Sequence, residues 1–241
     1  IRKAFICENN DFIMLAADYS QIELRVIASL SKDSNMIFAF NNNEDIHAST
    51  ASKVFNVDIN NVSREQRSNA KTVNFGIIYG VSAFGLSNQT NLSRSESKNL
   101  IESYFIAYPE LKNYISNQIN FARENGYVKT ILGRKRYLKD INSRNQIVRG
   151  GAERNAVNAP IQGSAADIIK IAMVNISNQM KLNAFRSQML VQVHDELIFE
   201  IYKPELKKMK KLIKQEMESA FSLNVPLAVD IGLGDNWYEA H

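Results

Sequence analysis

The sequence predicts an α+β protein, with strands near both ends of the chain enclosing a long and mostly helical middle. Three observations predict it. Residues 12–17 (FIMLAA) form a continuous apolar run of strand length, read as a strand buried on both faces. Residues 189–201 (MLVQVHDELIFEI) alternate with period two on both sides of His194, Asp195 and Glu196, the signal of a hairpin with an acidic tip. Between these, apolar residues recur at helical spacing in one segment after another.

The bulk numbers agree with a globular chain. It has 241 residues, 45% hydrophobic and 22% charged, enough for a real core and far from disordered or fibrous composition. A net charge of +4 and a pI near 9.0 permit an anionic partner without requiring one. The single cysteine, Cys7, excludes an internal disulfide and a Cys-rich zinc site. His47, His194 and His241 lie far apart and make no metal-binding spacing. No apolar run approaches the roughly 20 residues that span a bilayer, and the first residues lack the apolar core of a signal peptide. The absence of an initiating Met reads as a fragment or a processed product.

In order, the first strand ends on Asp18, and Ile22, Val26, Ile27 and Leu30 then fall on one helical face. Ser20 and Glu23 have capping-box spacing at that helix start. Residues 31–61 are polar and Asn-rich, with a loop at 41–43 and a short helix over 45–55. Ser63 and Gln66 repeat the capping-box spacing before a helix over about 64–80, and Ser93 and Glu96 do so before another. Pro109 interrupts or ends that helix; a further one runs to Gly126. Residues 127–138 read as a hairpin turning at Gly133, with Arg134, Lys135 and Arg136 at the bend, either solvated or resting on phosphate. Gly150 and Gly151 precede a long helical stretch that Pro160 should kink or split. Residues 205–221 form an amphipathic helix with Leu206, Met209, Ile213, Met217 and Phe221 inward and its lysines solvated, and 227–232 are a last strand. No repeat and no long linker interrupts the pattern.

Two features carry chemistry. Arg67, Lys71, Phe75 and Tyr79 recur every four residues, which stacks two cations and two aromatics along one helix face. The stripe is either a solvated basic face with aromatics tucked into a core, or a grip for a polyphosphate with flat surfaces for a sugar or base. Asp18 and Asp195 stand at strand ends. Each alone reads as a turn or cap residue, but two strand-end aspartates can meet at one sheet edge and hold two Mg²⁺ ions for phosphoryl transfer. No Walker A loop is present, so side chains would have to grip the phosphates.

The motifs around these residues resemble those of the family A DNA polymerases (bacterial DNA polymerase I-like). DYSQIELR from Asp18 resembles motif A, RSNAKTVNFGIIYG from Arg67 resembles motif B on the O helix of the fingers, and VHDE from Val193 resembles motif C. They occur in the family's order, and TILGRKRY and NAPIQGSAADIIK also read like family segments, so the resemblance covers essentially the whole chain. It implies the palm and fingers of a right-hand polymerase: palm at 1–33, fingers at 34–148, and palm again at 149–241. The thumb, the first part of the palm and any exonuclease domains are expected to be absent from this chain. It would then be a fragment of a longer polymerase, or one chain of a split one, that holds DNA poorly alone.

The resemblance also implies roles. Asp18 and Asp195, with the Tyr19 carbonyl, would bind two Mg²⁺ ions, with Mn²⁺ able to substitute. Glu196 matches a third acidic residue of less defined role. Arg67 and Lys71 would grip the triphosphate of an incoming dNTP, helped by Gln21 and His47, and Lys71 would offset charge on the leaving pyrophosphate. Phe75 would pack on the nucleotide and Tyr79 at the template position. Glu23 has two readings, helix start or the steric gate that rejects a 2′-hydroxyl. Arg154, Asn158 and Gln162 would line the primer-template minor groove, and His194 would lie near the primer terminus unless it is only a turn residue. The implied reaction is template-directed addition of dNTPs to a primer 3′ end, in the cytoplasm at the nucleoid if the source is bacterial, with an organellar or phage origin left open. A single-subunit phage-type RNA polymerase is an alternative, though Glu23 argues against a ribonucleotide user. A two-metal nuclease would not need the stripe, and a DNA- or nucleotide-binding fragment inactive on its own is the third reading.

Overall fold

A computed structural model describes all 241 residues. The elements of its first half are β1 (Phe12–Tyr19), α1 (Ile22–Ser31), α2 (Ser34–Asn41), α3 (Ile46–Phe55), α4 (Arg64–Ile78), α5 (Ala83–Ser87) and α6 (Arg94–Ala107). Then follow α7 (Pro109–Asn125), β2 (Tyr127–Lys129), β3 (Lys135–Tyr137), α8 (Gln146–Leu182), β4 (Gln188–Val193), β5 (Glu196–Tyr202), α9 (Leu206–Glu218), β6 (Val229–Gly234) and α10 (Trp237–Ala240). The chain forms two compact units, Ile1–Ile22 with Ala165–His241, and Glu23–Ser164. The expected α+β class is what the structure has.

The first unit is built on a four-stranded antiparallel sheet in the order β4-β5-β1-β6. β1 lies between β5 and β6 with helices against both sheet faces, which is why residues 12–17 are apolar on both sides. One sheet face carries Leu15, Ala17 and Tyr19 and is covered by α9, whose Met209, Ile213 and Met217 are buried. The Tyr19 hydroxyl donates to the Met217 carbonyl at 2.6 Å. The other face carries Met14, Ala16 and Ile198, packed with Trp237 and Ala240 of α10. Gly232 permits this approach: a Cβ there would lie 1.9 Å from the Ala240 carbonyl oxygen.

Several local expectations shift. β1 runs two residues past Ala17, because β5 and β6 both pair with it through Asp18. The β4–β5 turn is only His194 and Asp195, with His194 at φ 55, so Glu196 opens β5 rather than sitting at the tip. β6 starts two residues later than expected, and α9 ends before Phe221.

In the second unit, the anticipated caps are present. Ser63 and Gln66 close a full capping box on α4, and Ser93 and Glu96 on α6. Asp45 caps α3 through the amides of His47 and Ala48. α1 begins at Ile22, with Gln21 at φ 56 just before it, so Glu23 stands one position earlier in the helix than a Ser20 capping box would put it. α2 emerges from the stretch read as polar and Asn-rich, since Asp33 caps it and Met36, Ala39 and Phe40 are buried. Pro109 opens α7 at a position where its missing N–H costs nothing. α8 starts before the two glycines, because Asn145 accepts from the amides of Ile147 and Val148. It also runs unbroken through Pro160: burial of Ala156, Ile161 and Ile168 outweighs the lost ladder bond.

Candidate active site

Strand register assembles a row of carboxylates in the first unit. Asp18 on β1 is paired with Glu196 on β5 and with Asp230 on β6, so three acidic side chains project from one face of the sheet. Asp195 joins them from the β4–β5 turn, its carbonyl accepting from the Tyr19 amide at 3.2 Å. Burial, then the charges of Asp195 and Glu196, push the Asp18 carboxyl up to about 6. Asp18 Oδ1 is buried and accepts no hydrogen bond within the protein. Glu196 is 4% exposed and held at both oxygens, by Trp237 Nε1 at 3.1 Å and His241 Nδ1 at 2.9 Å.

This edge fits divalent cations of the hard, oxygen-seeking kind. Its donors are carboxylates, and its buried Asp18 Oδ1 lacks a partner. No group of three or more His, Cys, Asp or Glu side chains is arranged to hold a metal unaided. A cation bound by Asp18 and Asp195 would therefore complete its shell with water and substrate oxygens. A cavity of about 680 Å³ in this unit is lined by Met173, Val174, Phe185 and Met189 among others and includes none of these carboxylates.

The stripe lies on α4 in the second unit. Arg67 and Lys71 are exposed, Phe75 is half-buried, and Tyr79 follows the helix as its C-cap with its amide still bonded to the Phe75 carbonyl. Lys71, Phe75 and Tyr79 line a pocket of about 400 Å³ with Ser68, Thr72 and Gln89. Arg67 donates twice to Asp45 Oδ2, at 2.8 Å from Nε and 2.6 Å from the terminal nitrogen. Burial tends to raise the Asp45 carboxyl, but the Arg67 hydrogen bond and charge and the α3 amides outweigh it and hold the carboxyl below its usual value. His47 is 3% exposed; its Nδ1 faces Asn74 Nδ2 at 3.0 Å and its ring leans on Phe75 at 5.8 Å. Burial, with the Arg67 and Lys71 charges, lowers His47 to about 4 against the opposing pull of Asp45. The Tyr79 hydroxyl donates to Glu23 Oε2 at 2.8 Å.

Arg154, Asn158 and Gln162 follow one another at four-residue spacing along α8, on one face of that helix. Arg154 packs under Gly80, where a Cβ would come within 2.6 Å of its Cγ. Asn158 Oδ1 is buried without a partner, and Gln162 lines a small basic pocket with Thr130, Arg134 and Arg136. His194 is an exposed turn residue. Asp18, Asp195, Glu196, Tyr19, Gln21 and His194 thus belong to one unit, while Glu23, His47, the stripe and the α8 residues belong to the other.

Sequence reasoning missed Asp230, Trp237 and His241. Asp230 had a signal, a lone carboxylate within a short apolar strand. Trp237 and His241 had none, because their partner Glu196 is 41 and 45 residues away in sequence.

The fold is that of a polymerase domain. The structure superposes with a TM-score of 0.95 on the POL domain of Pol1 from M. smegmatis, solved in complex with DNA primer-template and dNTP, at 44% identity over 100% of this chain and 42% of that one. The family model for DNA polymerase family A matches residues 1–239, and the chain belongs to that family. It is 52% identical over 241 residues to DNA polymerase I of Streptococcus pneumoniae (strain ATCC BAA-255 / R6). It is 51% identical over 239 residues to DNA polymerase I of Caldicellulosiruptor bescii. These alignments cover 100% and 99% of the chain but only 28% of either relative's length. No helix is long and apolar enough to cross a membrane.

Proposed function

We propose that the chain supplies the nucleotidyl-transfer centre of a longer template-directed DNA polymerase, adding deoxynucleotides to a primer 3′ end. The palm comprises 1–33 and 149–241, and the fingers 34–148. Primer-template DNA and dNTPs are its partners, and the remaining polypeptide contributes the thumb. The observation that carries this reading is the carboxylate edge, where a buried, unpartnered Asp18 oxygen stands beside Asp195 in a family A fold.

Asp18, Asp195 and the Tyr19 carbonyl hold the metal site. When bound there, two Mg²⁺ ions, or Mn²⁺ in their place, supply activation of the primer hydroxyl and charge neutralisation on the phosphates. Arg67 and Lys71 grip the triphosphate with Gln21 and His47, and Lys71 offsets the charge building on the leaving pyrophosphate. Because Nδ1 of a neutral His47 accepts from Asn74, its Nε2 carries the hydrogen and can donate to a phosphate oxygen. Phe75 packs on the sugar and base. Glu23, its carboxylate steadied by the Tyr79 hydroxyl, crowds a 2′-hydroxyl and so favours deoxynucleotides. Tyr79 stacks at the template position, while Arg154, Asn158 and Gln162 check the minor-groove edge of the new pair and His194 lies near the primer end.

Primer extension by the full polypeptide tests the reading. Asp18→Ala and Asp195→Ala should each abolish extension, and extension at the parental rate by either would refute it. The match to DNA polymerases over the whole chain does not favour the RNA polymerase alternative. Ribonucleotide preference in the same assay would restore it.

A further inference from the structure

Glu196 is a glutamate at the start of a strand, directly across from Asp18 and almost wholly buried. A carboxylate in that position needs donors. Both of its side-chain partners come from the segment that ends the sequence, Trp237 on Oε2 and His241 on Oε1. An ionised carboxylate only accepts, so His241 Nδ1 carries the hydrogen.

We propose that α10, through Trp237 and His241, is a clasp that positions the Glu196 carboxylate beside the Asp18–Asp195 cation site. The inference rests on the polymerase reading and assigns positioning residues which that reading does not use.

A four-residue helix has no stability of its own. This one is fixed from several sides. The Asn236 side chain caps it, accepting from the Glu239 amide at 3.1 Å. The Trp237 amide donates to the Phe5 carbonyl at 3.0 Å, and Ile6 bridges to Asn236. Phe5 meets the indole edge-on at 5.3 Å and the Arg2 guanidinium lies 5.1 Å from its centroid. The missing Cβ at Gly232 lets the Ala240 carbonyl sit against β6. The indole N–H and the imidazole N–H therefore reach Glu196 from a rigid platform rather than from a loose tail.

Two donors, one on each oxygen, fix the rotamer of the carboxylate. Its charge is then held at a constant distance from Asp18, on the same face of the sheet. The Glu196 and His241 charges both act on the Asp18 carboxyl, in opposite senses, which places the pair within electrostatic reach of the cation site. Freed of its donors, the Glu196 carboxylate would turn away from Asp18 towards solvent, and the field that attracts cations to Asp18 and Asp195 would weaken.

The test is Mn²⁺ binding by the chain, followed by electron paramagnetic resonance without DNA or nucleotide, with thermal unfolding in parallel. The Mn²⁺ that disappears in Asp18→Asn defines the site. Trp237→Phe keeps the ring and removes the N–H; His241→Ala removes the second donor; His241→Asn keeps a donor near the Nδ1 position. Trp237→Phe and His241→Ala should each weaken that Mn²⁺ about tenfold, the range of supporting-residue effects on metal sites, while His241→Asn stays close to the parent. Parental affinity in Trp237→Phe and His241→Ala overturns the clasp and leaves the polymerase reading intact. Loss that merely follows the unfolding temperature, without rescue by His241→Asn, also overturns it. Parental Mn²⁺ binding by Asp18→Asn overturns both.

Discussion

Acidification should loosen the packing of α3 on α4 through one imidazole. His47 is buried between these helices, with its Nδ1 taken by the Asn74 amide and the Arg67 and Lys71 charges nearby. Protonation would set a ring N–H against the amide N–H₂ in a site that already carries two cations. The folded ring is therefore held to about 4, against 6.5 for a free one. Between those values the unfolded chain binds more protons than the folded one, so stability falls as pH falls. The contribution is complete above pH 6.5 and gone below about pH 4. Between pH 7.5 and 4.5 the loss is about 2–3 kcal/mol. Asp18 and Asp33, both raised to about 6 chiefly by burial, act in the opposite sense, because they gain stability as pH falls through that value. The informative quantity is thus the difference between parent and His47→Gln in urea unfolding at pH 7.5, 6 and 4.5. That difference should shrink by about 2–3 kcal/mol on acidification, and nitrogen-detected NMR should show an Nε2–H ring titrating near 4. A midpoint near 6.5, or parallel pH profiles for the two proteins, would refute the burial reasoning.

Three further outcomes are expected. Asp18→Asn removes a like charge from a crowded edge, so it should stabilise the fold by about 1 kcal/mol at pH 7 after solvent screening, with extension abolished; an unchanged or lower melting temperature would contradict the crowding. Tyr79→Phe removes the hydrogen bond to Glu23 and should change stability by less than about 1 kcal/mol. In a primer-extension assay it should raise ribonucleotide incorporation relative to deoxynucleotide, and unchanged sugar selectivity would mean the hydroxyl does not steady the gate. Gly232→Ala drives a methyl group into the Ala240 carbonyl and should destabilise by about 1–3 kcal/mol or more, visible as a shift in Trp237 fluorescence during urea unfolding.

Much of the fold was legible because its signals are local. The capping boxes at Ser63 and Ser93, the turn glycines Gly126 and Gly133, and the apolar run of β1 each lie within a few residues of what they specify. The errors fall where a distant partner overrode the local pattern. α2 looked polar in sequence, yet its core face is buried and Asp33 both caps it and accepts from the Leu111 amide 78 residues away. Of the kink or split expected at Pro160, the split does not occur, because buried residues on either side keep α8 one helix. α10 carries too few residues to announce a helix and exists because Asn236, Gly232 and the Phe5 region hold it.

The sequence by itself determined most of the longer elements, the i, i+4 stripe from Arg67 to Tyr79, and, through three ordered motifs, the family. Residues four apart on a helix must share a face, and that needs no knowledge of the rest of the chain. Tertiary structure alone decided which carboxylates meet. Asp18, Glu196 and Asp230 become neighbours only through the register of three strands drawn from opposite ends of the chain, and a slip of one residue would turn each side chain to the other face. The same register sets Glu196 under Trp237 and His241 and leaves one buried Asp18 oxygen without a partner. The charge on a carboxyl depends on what surrounds it in space, so the electrostatics of that edge could not be read from the order of its residues.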